Sequence, residues 1–180
     1  MDLQRRLTDY SVARLDGRPI PADLNALLSA RWSDASFVGS ERDPGASFSF
    51  RLLEPSGTHP LLSHNYLRDA DRANPATMAN VEAMIATSAL CCFVVVTDDD
   101  DLVGYWRGPD RLEPDKAPIV RLDTEGGYSL LPGRTILQAL YLLMRRGSSA
   151  ERLELAQGIL ACVSGAAPTP AVAGQLARPE

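Results

Sequence analysis

Two histidines, a run of four aspartates and a pair of adjacent cysteines are the side chains whose types and spacing could do chemistry in this sequence. His59 and His64 stand five apart in a Pro- and Ser-containing segment, and Asp69 and Asp71 follow. Imidazoles beside carboxylates make a metal pair or a general base. No third ligand follows at a convincing spacing, so the bland reading of the pair is polar loop surface. Asp98, Asp99, Asp100 and Asp101 invite a cation. A calcium loop opening at Asp98 would need glycine at 103 and glutamate at 109, where Val103 and Pro109 stand. Four like charges in one turn repel and face water, either as a solvated hairpin tip or as an acidic rim that meets a partner.

Cys91 and Cys92 lie inside an apolar run, and Cys162 lies near the end of a helical pattern. Neighbouring strand residues point to opposite faces, which does not suit a disulfide between them. No Cys-x-x-Cys pair exists. A thiol in an apolar strand has a raised pKa and packs as a small hydrophobe. Gly-x-Ser-x-Gly, a Gly-rich phosphate loop and His-Glu-x-x-His are all missing from the sequence. The expectation is therefore no catalytic residue, no metal and no cofactor.

The elements that must position these residues can be read from the same string. Pro21-Ala22-Asp23-Leu24 opens a helix through Trp32, with Leu24, Leu27, Leu28 and Trp32 on one face. A shorter helix is expected around Leu3 to Leu7. The stretch from Ser33 to Gly45 reads as loop. From Ala46 to Leu53, Phe48, Phe50 and Leu52 alternate as a half-buried strand. Asn74-Pro75 caps a helix reaching Ser88, with Met78, Val81 and Ile85 as its buried stripe.

Leu90 to Val96 is a short, valine-rich apolar run, which predicts a central strand covered on both faces. The aspartates turn the chain, and Leu102 to Arg107 returns. Gly108 to Lys116 is a loop, Ala117 to Leu122 a third strand, Asp123 to Gly127 a turn and Tyr128 to Leu131 a fourth strand. Connections this short require an antiparallel meander. A helix over Arg134 to Arg146 presents Ile136, Leu137, Leu140, Tyr141, Leu143 and Met144 inward. Ser148-x-x-Glu151 is a capping box for one more helix, buried through Leu153, Ala156, Leu160 and Val163. The expected fold class is α+β: an antiparallel β-meander of four or more strands packed by N-terminal and C-terminal helices. A single domain is expected over 1–164, followed by an Ala- and Pro-rich tail over 165–180.

Composition narrows the function classes. The 180 residues are 45% hydrophobic and 23% charged, ordinary globular usage. Lys and Arg total 18 against 23 Asp and Glu, a net charge of −5, so the aspartate run carries most of the imbalance. Mild acidity argues against nucleic acid as a partner. No apolar run approaches the ~20 residues of a membrane span. The charged start Met1-Asp2-Leu3-Gln4-Arg5-Arg6 lacks the apolar stretch of a secretory signal, and a cytoplasmic location is expected.

Tyr105 and Trp106 point to opposite faces of their strand. Core packing accounts for both, yet with Arg107 and Arg111 they are also the residue types that dominate interface hot spots. The order of elements resembles the SUKH superfamily, the α+β domain of many bacterial toxin-immunity proteins and fungal cell-wall regulatory proteins. The residues that carry the resemblance are Ile20-Pro21-Ala22-Asp23-Leu24 at the first helix and Leu102-Val103-Gly104-Tyr105-Trp106 after the acidic turn. Pro118-Ile119-Val120-Arg121-Leu122-Asp123, Glu125-Gly126 and the closing helix from Thr135 complete it.

The resemblance implies a non-catalytic domain that binds and neutralises a cognate secreted toxin with a basic surface. Asp98, Asp99, Asp100, Asp101, Tyr105, Trp106 and Arg107 are the expected partner-binding residues. An intracellular regulatory adaptor of the same fold is the first alternative. A small metal-dependent hydrolase using His59 and His64 is the second.

Overall fold

In this computed structural model, residues 2–36, 38, 45 and 49–145 are described. The chain begins with α1, Leu3–Leu15, more than twice the length expected. Asp2 starts it by accepting the Gln4 N–H, and Asp16 stops it in the left-handed region. Leu7, Tyr10 and Leu15 are its buried side chains, a stripe whose period is interrupted by polar residues and so is weak in sequence. Helix α2, Ala22–Ser33, buries Leu24, Leu27 and Leu28 as expected.

Two one-turn helices that have no periodicity to announce them follow strand β1, Phe50–Leu52: α3, Pro60–Ser63, and α4, Asp69–Arg72. Phe48 lies outside the described residues. Helix α5, Pro75–Ser88, starts on the Asn74 side chain, which accepts the Ala76 and Thr77 N–H groups. Its inward face differs from the expected stripe. Val81 is buried and Met84 packs against the core, whereas Ile85 is 50% exposed and Met78 only half-buried. The helix is rotated so that Met84 meets the turn at Gly126.

Strands β2 (Cys91–Thr97), β3 (Leu102–Trp106), β4 (Ile119–Leu122) and β5 (Tyr128–Leu131) form the expected meander. With β1 they make one five-stranded antiparallel sheet in the order β1-β2-β3-β4-β5. Helix α6, Ile136–Arg145, closes the described chain and buries Ile136, Leu137, Ala139, Leu140 and Tyr141. The Met144 side chain, the capping-box helix after Gly147, Cys162 and the tail lie outside the described residues.

Alternation sends the strand side chains into two separate cores. Cys92, Val94, Val95, Val103, Tyr105 and Ile119 meet α1, α2 and α6 in the larger one. Phe93, Val96, Leu102, Val120 and Leu122 meet Leu61 and Leu62 of α3 and Met84 of α5 in the smaller. The fold is thus α+β, with helices on both faces of the sheet.

A β-bulge between Phe93 and Val95 shifts the phase of β2, which is how two successive valines reach the same core. Gly104 lies opposite Phe93, and a Cβ there would sit 2.6 Å from the Phe93 Cα and closer still to the Cys92 carbonyl oxygen. Only glycine lets the strands approach this closely.

Candidate functional site

The acidic tip is built from register. Thr97 donates its N–H to the Asp101 carbonyl (2.9 Å), and its Oγ1 accepts the Asp101 N–H (3.2 Å). Residues 98–100 therefore form the turn proper, with Asp100 at φ 60°. Asp98, Asp99 and Asp100 are exposed, and Asp100 pairs loosely with Arg51 of β1 at 3.4 Å.

Asp101 departs from the expectation. It is 3% exposed and belongs to the scaffold. Its Oδ2 accepts from Arg121 Nε (2.7 Å), and its Oδ1 accepts the Thr124 N–H (3.2 Å). One buried carboxylate thereby ties the β2–β3 turn to the β4–β5 turn. Asp123 shapes that second turn, its Oδ1 accepting the Glu125 and Gly127 N–H groups at 3.0 and 2.7 Å.

The result is one acidic end of the sheet, where Asp98, Asp99, Asp100 and Glu125 all face water. Sequence reasoning places Glu125 in the Asp123 to Gly127 turn and in the family resemblance, but not among the partner-binding residues. The signal was present, because alternate turns of a meander lie at the same end.

At the opposite end of the β2–β3 hairpin, Arg107 is 2% exposed, so it too is withdrawn from the expected binding surface. Its guanidinium donates to the carbonyls of Leu112 (2.9 Å) and Arg111 (3.2 Å) and to the Asp16 carboxylate (2.5 Å). The Cys92 sulfur lies 3.8 Å from Nη1. Arg107 thus fastens the 108–116 loop and the end of α1 to the sheet. Arg111 adds a bond from Nη1 to the Ala89 carbonyl (2.6 Å).

Tyr105 is buried in the larger core, where its hydroxyl has no hydrogen-bond partner among the described residues. Burial pushes its pKa well up, so the hydroxyl stays protonated. Trp106, on the other face, is half-buried against the smaller core. Core packing of both rings holds, and Trp106 alone keeps an accessible edge.

The nucleophile candidates are muted. Burial pushes the Cys91 thiol up to about 12 and raises Cys92 as well, despite the nearby Arg107. His59 and His64 are buried, contrary to the expected polar surface. His59 Nδ1 accepts the Leu61 N–H at 3.3 Å, and burial lowers its pKa. Asp71 is engaged by Arg68, whose backbone N–H donates to it at 3.0 Å, and not by an imidazole. Among the described residues no group of three or more His, Cys, Asp or Glu could hold a metal ion. No described helix is long and apolar enough to cross a membrane.

A groove of about 240 Å³ between α1 and α2 is lined by Gln4, Leu7, Thr8, Ser11, Pro19, Ile20 and Asn25 and contains none of the expected site residues. Fold and surface together define an α+β protein with an acidic sheet end whose two turns are tied by Asp101. Neither a family model, nor a curated protein, nor a solved structure matches the chain.

Proposed function

We propose that this chain is a non-catalytic immunity protein, which binds a cognate protein toxin through the acidic end of its sheet and blocks it. The observation that carries the reading is the exposure of Asp98, Asp99 and Asp100 on an anchored turn. The turn that holds them is anchored by the buried Asp101 to Arg121 and Thr124. Carboxylates held in this way need little ordering on docking, so little conformational entropy opposes the complex.

The partner is a toxin with a basic surface, and the SUKH-like order of elements supports the immunity role. Long-range attraction from the tip speeds encounter more than it deepens affinity, and it acts within a Debye length of about 8 Å at physiological salt. Trp106 and Arg111 flank the opposite end of the hairpin and lie outside this docking surface.

Co-expression with the toxin encoded beside this chain tests the reading. Rescue of growth and a stable complex are the expected results. Absence of both overturns it.

A further inference from the structure

The two histidines of the chain bracket a single turn of helix. His59 is the N-cap of α3. Its Nδ1 accepts the Leu61 N–H (3.3 Å), and its carbonyl accepts the N–H groups of Leu62 (2.9 Å) and Ser63 (3.0 Å). His64 ends the turn in the left-handed region, donating its N–H to the Pro60 carbonyl at 2.7 Å. Between them, Leu61 and Leu62 lie on the smaller core beside Phe93, Val96 and Leu102.

Two arginines tether the chain on either side of this turn. Arg14 donates to the carbonyls of Glu54 and Gly57, and Arg72 donates to that of His64 at 3.3 Å.

We propose that His59 is an acid-sensitive latch: a proton on Nδ1 releases the 59–64 turn and uncovers the face of the sheet that Leu61 and Leu62 protect. A backbone N–H can only donate, so the cap fixes Nδ1 as the acceptor and leaves the ring hydrogen on Nε2. Protonation turns Nδ1 into a donor that faces another donor. The cap is lost, and a charge is placed on a largely buried ring.

Two charged groups face the ring from neighbouring elements. Asp100 on the acidic tip favours the imidazolium and Arg51 on β1 disfavours it, while burial is the largest influence and opposes it. Asp100 and Arg51 also engage each other, at 3.4 Å.

The sign follows from linkage. In the open turn His59 takes up a proton at its ordinary pKa of about 6.5, whereas in the closed turn uptake is held to lower pH. The open-to-closed ratio is therefore flat above neutrality and rises as the pH falls. Between pH 6.5 and 5.5 the rise is about fivefold while the closed turn stays unprotonated.

Amide hydrogen exchange of the full chain at pH 6.5 and 5.5, expressed as protection factors, tests the latch. The Leu61, Leu62, Ser63 and His64 amides should lose about fivefold, with Val103 and Val120 unchanged. His59→Asn retains a capping oxygen but cannot titrate, so its protection should be independent of pH. His64→Asn suits the left-handed position and should behave as the unmodified chain does.

The proposal is overturned by flat protection in the unmodified chain, by pH dependence that survives His59→Asn, or by its loss in His64→Asn. Should His59→Asn not fold, imidazole ¹⁵N shifts of the unmodified chain decide. A neutral His59 carrying its hydrogen on Nδ1 rules the latch out. So does a ring that takes up no proton as the turn opens.

Discussion

The two ends of the β2–β3 hairpin look alike in sequence and are built oppositely. At each end charged residues stand beside a strand, and each end reads in sequence as a partner-facing surface. At the open end the charge of Arg107 is fully internal. Arg107 has only donors, and it gathers what a folded loop leaves over, two carbonyls and a carboxylate. At the tip only the residue adjoining β3 is internal. Asp101 has only acceptors, and it gathers a backbone N–H and a guanidinium. Asp98, Asp99 and Asp100 stay outside. Register in the ladder, rather than charge or nearness to a strand, decides which residue the scaffold takes: Asp98 adjoins β2 as closely as Asp101 adjoins β3 and stays outside.

The most severe way to break this comparison is to remove the hairpin that both ends share. Gly104→Ala would set a methyl 2.6 Å from the Phe93 Cα and closer still to the Cys92 carbonyl oxygen. The obstacle is backbone on an adjacent bulged strand, so no side chain can swing away. The expected loss is about 4 kcal/mol or more in urea unfolding, or failure to fold. A loss under ~1 kcal/mol would mean that β2 and β3 are not this close.

Arg107→Met comes next. It retains much of the buried stem, but the carbonyls of Arg111 and Leu112 lose their guanidinium partner. Asp16 is 63% exposed at its side chain and can rehydrate, which limits the damage. A loss of about 3 kcal/mol is expected, with faster hydrogen exchange in the 108–116 loop than at the tip. Equal loosening at both ends would show that Arg107 supports the sheet as a whole rather than its own end.

These first two effects also show what the sequence could and could not convey. The meander is legible because Leu90–Val96 is too short and too β-branched for a helix, and because the turns at 98–101 and 123–127 are too short for crossovers. The positions of Arg107 and Asp101 are not. Four identical aspartates differ only in register, and the Thr97–Asp101 pairing that singles out the last one is a fact of the ladder. The histidines read as surface for a related reason. A four-residue helix has no periodicity, so nothing local announces that Leu61 and Leu62 dock on a second core and draw His59 inside. Ile85 is the simpler case: both Met84 and Ile85 fit a helical stripe, and contact with the Gly126 turn selects Met84.

A smaller break is available at the tip. Asp101→Asn preserves an oxygen for the Thr124 N–H but sets a neutral amide against Arg121. Arg121 is partly exposed and can find water, so the expected loss is about 1–2 kcal/mol. If Asp101 joins the two turns, a double-mutant cycle with Arg121→Gln gives a coupling of about 1 kcal/mol. A coupling near zero would assign the rigidity of the tip to the backbone ladder alone.

The smallest effect on stability is the one that bears most on function. Replacing Asp98, Asp99 and Asp100 together by serine removes charge that is exposed and, apart from the loose Arg51–Asp100 pair, unengaged by the described ion pairs. Such pairs contribute little, so unfolding free energy should change by no more than about 0.5 kcal/mol. Association with the proposed toxin should behave differently. The rate constant should fall severalfold or more at low salt, by a ratio that shrinks as salt screens the tip, while dissociation changes little. That pattern separates a docking surface from a merely soluble turn, because solubility has no reason to appear in an association rate. An association rate unchanged at low salt would move the docking surface away from the tip, and the two ends of the hairpin would then differ in structure without differing in function.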